Sequence, residues 1–262
     1  MPSSALHVAR TGLEAQDTRM RVIANNLANV GTTAFKRDRA NFATMAYQDA
    51  RTAGQQSSGE TAYATGLNLG TGVGIQSTSR IATQGAMQST GNALDLALDG
   101  EGYFQVTLPG GQLAYTRAGN FSRSAEGQLV TAQGYIVQPP VAIPEGATSI
   151  AIAPDGTVSA AIPGTPEPAQ LGQITIASFA NPAGLAAGGD NFLAETAASG
   201  AAQIGIAGEL GRGRVRQGFL ESSNVNVVEE LVDMIETQRA YEVNSKMISA
   251  VDEMLKNANQ TL

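Results

Sequence analysis

The sequence predicts an α+β protein, with N- and C-terminal helices pairing as a coiled coil, a central all-β domain and an extended linking region. Three observations carry this. Apolar residues recur at alternating spacings of three and four at each end of the chain. The middle switches to a period of two, punctuated by Gly and Pro turns. Polar, Gly/Ser/Thr-rich stretches that bury little surface separate the ends from the middle.

The first helix is predicted from about Ser4 to Val30. Leu6, Ala9, Leu13, Gln16, Met20, Ile23, Leu27 and Val30 fall on one seam, the spacing that faces a partner helix. Ser3 or Ser4 can cap its start. Gly31 can end it by turning left-handed, a conformation other residues resist.

The last helix is predicted from Asn226 to about Asn257. Asn226 followed by Glu229 reads as a capping box. Val227, Leu231, Met234, Gln238, Tyr241, Ser245, Ile248, Asp252 and Leu255 continue the seam. Val228, Val232, Ile235, Val243, Met247, Val251 and Met254 widen it, so the helix is expected to touch more than one neighbour. Gln16 and Gln238 suit register-setting polar positions within the two seams.

Between the helices, Leu94, Leu96 and Leu98 alternate with Asp95, Ala97 and Asp99. Further strands are read at 103–108, 112–116, 128–131, 135–137, 149–152 and 173–179. Pro109-Gly110-Gly111, Gly119-Asn120, Glu126-Gly127, Pro139-Pro140 and Pro154-Asp155-Gly156 supply the turns. The expected division is residues 1–35 with 218–262 as the helical part, 36–74 with 206–217 as a linking and β-hairpin region, and 75–205 as a β-rich outer domain. Arg212, Arg214 and Arg216 share one face of the second linking segment if it is extended.

Composition excludes several function classes. Among 262 residues there is no Cys and a single His, His7, which leaves out disulfides, thiolate metal sites and a Ser-His-Asp triad. A net charge of −7 argues against a nucleic-acid groove. No apolar run approaches the roughly 20 residues that span a bilayer. Arg10 and Glu14 stand where a signal peptide's apolar segment would lie. No cofactor or metal, no nucleic acid and no membrane insertion is therefore expected. The ends differ in sign: residues 1–39 carry six basic and three acidic groups, residues 218–262 three basic and eight acidic. That asymmetry favours pairing of the first helix with the last, within or between chains.

Apparent sites have plainer readings. Leu69-Gly70-Thr71-Gly72-Val73-Gly74 lacks the Lys-Ser/Thr of a phosphate loop and reads as a connection or bulged strand. Asp95, Asp99 and Glu101 read as the solvated side of an alternating strand. The terminal seams are different, because two narrow stripes pairing alone would leave apolar surface wet, which marks a further interaction surface. Packing between copies is the expectation for them. A β-domain hydrolase or sugar-binding protein with coiled-coil tails is the rival from another class; it needs converging titratable groups that this composition does not supply.

Two terminal motifs and a central one then carry a resemblance. Asn25-Asn26-Leu27-Ala28-Asn29 with Thr32-Thr33-Ala34-Phe35-Lys36-Arg37 resembles the N-terminal signature of bacterial flagellar rod and hook proteins. Ser223-Asn224-Val225-Asn226-Val227-Val228-Glu229-Glu230 and Gln238-Arg239-Ala240-Tyr241-Glu242 resemble the C-terminal signature. Leu94-Asp95-Leu96-Ala97, Gly102-Tyr103-Phe104-Gln105-Val106, Tyr115-Thr116-Arg117 and Gly119-Asn120-Phe121 resemble the family's β-domain core. The stretch 47–73, ending Gly66-Leu67-Asn68-Leu69-Gly70-Thr71-Gly72-Val73, is most similar to the distal-rod members; a proximal-rod or hook-type subunit is the alternative. The signature positions in this chain are Asn25, Asn26, Asn29, Thr33, Phe35, Lys36, Asn224, Asn226, Arg239 and Tyr241. The family commonly has Gly where this chain has Ala34, and Gly31 is expected to take over the chain reversal there.

The resemblance implies a non-enzymatic drive shaft: a rigid helical tube of identical subunits that transmits motor torque to the hook. It implies export through the flagellar type III apparatus with no cleaved signal, and a place in the basal body, crossing the periplasm up to the outer membrane. The implied partners are further copies of the chain, proximal rod proteins, the hook protein at the distal end, and the ring proteins of the outer membrane and peptidoglycan.

Overall fold

The computed structural model describes residues 2–56, 63–163 and 167–260. Residues 57–62 of the predicted linking stretch lie outside these. The chain is α+β and divides into two compact units, one of residues 1–28, 38–80 and 226–262, the other of residues 29–37 and 81–225.

In the first unit α1 (Pro2–Ala28) and α2 (Val227–Gln260) lie side by side with two β-ribbons. β1 (Asp38–Thr44) pairs antiparallel with β4 (Val73–Arg80), and β2 (Tyr47–Arg51) with β3 (Leu67–Gly70). The β1–β4 ribbon packs on α1. Small residues make these approaches possible. Ala9 and Ala15 are buried on α1, and a Cβ at Gly12 would stand 3.0 Å from Asn244 Nδ2 of α2. Gly72, at φ +126°, lies so close to Thr11 Oγ1 that a side chain there would overlap it, and the Val73 amide donates to that same oxygen at 3.4 Å. The Leu69–Gly74 run is thus a strand end and a tight connection against a helix.

Both helix starts and stops are informative. α2 begins as expected, with Asn226 Oδ1 accepting from the Val228 amide at 3.1 Å, the usual N-cap geometry. α1 begins at Pro2, so Ser3 and Ser4 lie within its first turn and not at the N-cap position. It stops at Ala28, two residues short of Val30. Gly31 does not turn left-handed; the left-handed residue after α1 is Ala34, at φ +55°. The expectation that Gly31 takes over the chain reversal is therefore corrected. The reason is local: Ala34 is buried and its amide donates to the Glu221 carbonyl at 2.7 Å, which fixes its orientation.

The second unit is built on a nine-stranded antiparallel sheet around β7 (Tyr103–Thr107) and β8 (Leu113–Thr116). β5 (Met87–Ser89) pairs with residues 219–221, and β6 (Leu96–Asp99) with residues 214–217. A three-stranded sheet of residues 149–152, 157–161 and 169–173 completes it. The core gathers Leu96, Leu98, Phe104, Val106, Val137, Ile174 and Val215, with the Phe104 and Phe121 rings edge to face at 5.1 Å. The other side of β7 and β8 carries Tyr103 and Tyr115 against Phe179.

Two strand expectations are revised. Residues 173–179 are not one strand: the chain leaves one sheet at Gln173 and enters another at Ile176, with the Ile174 amide donating to Gly156 O at 2.8 Å. Nor is Asp95 on a solvated side. It is buried and accepts from Thr90 Oγ1 at 2.6 Å and Asn92 Nδ2 at 3.0 Å. Alternation misled because Leu96, Ala97 and Leu98 are all buried, so this strand is covered on both faces.

Candidate assembly surface

The two long sides of α2 have opposite character. The side against α1 is held largely by polar groups in its first half. Asn26 Nδ2 donates to both carboxylate oxygens of Glu230 at 3.2 Å and to Asp38 O at 2.9 Å, and the Asp38 amide returns a bond to Asn26 Oδ1 at 2.9 Å. Arg19 pairs with Asp233 at 3.1 Å. Thr237 is fully buried, its hydroxyl donating to Asp233 O at 2.6 Å. These bonds satisfy groups that would be expensive to bury alone.

Another flank of α2 is apolar and bare. Val228 is 70% exposed and Met254 63%; Val232, Ile235, Val243 and Met247 are also exposed. Helical spacing gathers these six along one side, not around the whole helix. Taking a side chain of this size from full exposure to full burial contributes about 1.5–3 kcal/mol. These six start partly covered, so together they would offset only part of the cost of association, roughly 4–15 kcal/mol. A face of this kind marks an interaction surface.

In the second unit, residues 29–37 are tied down by a buried ion cluster. Glu221 Oε1 accepts from Lys36 Nζ at 2.5 Å and from the Gly85 amide at 2.8 Å; Oε2 accepts from Arg117 Nε at 2.8 Å. Lys36 also donates to Thr83 O at 2.7 Å, and Arg117 to the carbonyls of Gly102 and Gly100 at 3.2 and 2.9 Å. Burial lowers the Lys36 pKa, an effect that Glu221 opposes without cancelling. Burial pushes the Glu221 carboxyl up, but Arg117 and Lys36 outweigh it and hold the group below the usual carboxylate value. Asn224 fastens the same segment, accepting from the Arg37 amide at 2.8 Å and donating to Ile81 O at 2.9 Å. The arrangement offers structural closure of this segment.

With this geometry in place, comparison with known proteins becomes specific. Residues 6–36 match the family described as flagella basal body rod protein, residues 97–160 the flagellar hook protein FlgE/F/G D1 domain, and residues 216–261 the flagellar basal body rod FlgEFG protein C-terminal region. Flagellar basal-body rod protein FlgG of Buchnera aphidicola subsp. Acyrthosiphon pisum is 49% identical, over 98% of each chain. The chain belongs to the flagellar basal-body rod protein family. FlgG of Caulobacter vibrioides is 48% identical over 98% of each chain, whereas FlgF of the same organism is 33% identical over 99% of this chain and 98% of its own. This rod protein therefore stands on the FlgG side of its family.

The two terminal matched regions contain the signature residues, and the structure gives many of them work. Asn26 bridges the helices, Asn226 caps α2, and Lys36 and Asn224 fasten residues 29–37. Thr32 Oγ1 bonds Asn29 Oδ1 at 3.1 Å, and Thr33 O accepts from Asn191 at 2.9 Å. Phe35 is buried; Asn25, Arg239 and Tyr241 are exposed. Of the N-terminal seam, Ala9 and Ile23 are buried, Leu6, Leu13, Gln16, Met20 and Leu27 half-buried, and Val30 exposed beyond the helix. Of the C-terminal seam, Met234, Ile248 and Leu255 are half-buried, while Val227, Leu231, Gln238 and Tyr241 are exposed.

Glu221 was not singled out from sequence, and Arg117 and Glu230 stood there only within family motifs, with no role assigned. Glu221 carried one usable signal: an acidic residue directly following Phe219-Leu220, where a buried partner for Lys36 would be needed.

Proposed function

We propose that the chain is a structural, non-catalytic subunit of the flagellar distal rod. Copies polymerise into a rigid helical tube that serves as a drive shaft carrying motor torque to the hook. The observation that carries this is the bare apolar flank of α2 in a chain of the FlgG type: one helix pair cannot cover it, and a lattice of copies can.

In this reading residues 1–35 with 218–262 form the inner tube, where the Leu6–Val30 and Val227–Leu255 seams pack as a coiled coil between neighbouring helices. Residues 36–74 with 206–217 link, and 75–205 face outward. The subunit is exported without a cleaved signal by the type III apparatus and sits in the periplasm up to the outer membrane. It abuts proximal rod proteins at one end, the hook protein at the other, and the rings of the outer membrane and peptidoglycan around it.

Rigidity belongs to the β2–β3 ribbon. Tyr47, Leu67 and Leu69 are exposed on it, and an isolated two-stranded ribbon is marginal by itself, so adjacent subunits order it. Deleting residues 48–65 should leave tubes that form but bend, seen as a several-fold shorter persistence length by electron microscopy. Unchanged stiffness would remove the distal-rod reading in favour of the proximal-rod or hook-type alternative.

A further inference from the structure

We infer that Leu210 is a knob that seats in an apolar cavity on a second copy of this chain, between the start of α1 and β3. The inference rests on the self-assembly reading above and adds to it a specific contact.

Residues Glu209–Arg212 form a tight turn, with the Arg212 amide donating to Glu209 O at 2.9 Å. Both central residues are left-handed, Leu210 at φ +49° and Gly211 at φ +81°. A turn of this type favours Asn-Gly, and a residue with a branched aliphatic side chain there is strained by about 1–2 kcal/mol. The base of the turn is fixed: Gly208 donates to Gly213 O at 3.0 Å, Gly213 donates to Glu101 O at 2.6 Å, and a Cβ at Gly213 would meet Asp99 O at 2.9 Å. Leu210 is 91% exposed, the barest large apolar side chain among the described residues. It thus combines backbone strain with apolar exposure, two features unfavourable to the isolated chain. An outlier of that kind points to a role outside the molecule.

The chain also carries an apolar hollow large enough to admit the tip of the Glu209–Arg212 turn. A cavity of about 990 Å³ opens in the first unit. Ala5 and Val8 of α1, Leu69 of β3 and Met247 of α2 give it a mainly apolar wall, and Asp49 is among its lining residues. Arg214, exposed beside the base of the Leu210 turn, supplies the opposite charge to Asp49. Knob and hole are different surfaces of one chain. Their union is head to tail, and it repeats without closing on a two-fold axis. A helical tube needs that symmetry.

The chain has no Cys, so engineered thiols report cleanly. Leu210→Cys protein mixed with Val8→Cys protein, assembled and then oxidised, should give disulfide-linked dimers well above those from a Glu145→Cys and Val8→Cys mixture. Separately, Leu210→Asn should raise the Tm of the monomer by about 2–4 °C and raise the critical concentration for assembly about tenfold. A raised Tm with unchanged assembly, or cross-linking no greater than the Glu145→Cys control, overturns the knob while leaving self-assembly standing. If the unaltered chain does not polymerise at all, both readings fall together.

Discussion

Glu221 carries an unusual burden for one side chain: two cations and a backbone amide converge on its carboxylate. Removing that charge leaves Lys36 and Arg117 buried without their counter-ion, a loss of about 3–5 kcal/mol. Glu221→Gln should therefore lower stability by that amount in denaturant unfolding. Lys36→Met should cost less, about 1–3 kcal/mol, because Arg117 and the Gly85 amide still satisfy the carboxylate. The pH dependence has a definite sign. Glu221 is held below its unfolded value, so its stabilisation is complete above that value and is lost as pH falls through the lower, folded one. An acid titration of stability should lose part of its slope in Glu221→Gln. Ala34 is a second residue with a measurable consequence. It sits left-handed at φ +55°, so Ala34→Gly should stabilise by up to about 1 kcal/mol, the relief of strain being partly offset by the greater freedom of Gly in the unfolded chain.

Of the elements, α2 decides the assembly argument. Its polar side meets α1 through Glu230 and Asp233, with Thr237 buried and bonded back to the Asp233 carbonyl, and its bare flank runs from Val228 to Met254. Val232→Asp with Ile235→Asp should leave monomer stability within about 0.5 kcal/mol, as for other exposed sites, while abolishing polymerisation measured by light scattering. Elements of this kind were legible in the sequence. The spacing of Leu6 to Leu27 and the Asn226 cap located both helices within a few residues, and alternation with turn residues located 103–107, 113–116 and 149–152. What stayed hidden was non-local. β5 pairs with residues 219–221 and β6 with residues 214–217 across more than a hundred positions, and no local period reports such pairing. The end of α1 misled for a related reason: Gly31 has the flexibility for a reversal, yet a distant carbonyl, that of Glu221, sets the turn at Ala34. The α2 stripe was visible as a widened seam; which flank would be bare was not, because the partners Asn26 and Arg19 are polar.

At the scale of the molecule, two compact units divide the labour. One contains the helices, the exposed ribbons and the apolar flank; the other is a β body closed by the Lys36–Glu221–Arg117 cluster. The apolar flank and the FlgG-type likeness support the proposed role, in which repeated contacts between copies do the work. The central claim is that this chain alone is sufficient to build the tube. Its most direct test is negative-stain electron microscopy of the purified protein, concentrated in the absence of other flagellar components. Straight tubes of uniform diameter, whose number rises above a threshold concentration, are the predicted result. Protein that stays monomeric by sedimentation at millimolar concentration, or that collects only as amorphous aggregate, would contradict the account.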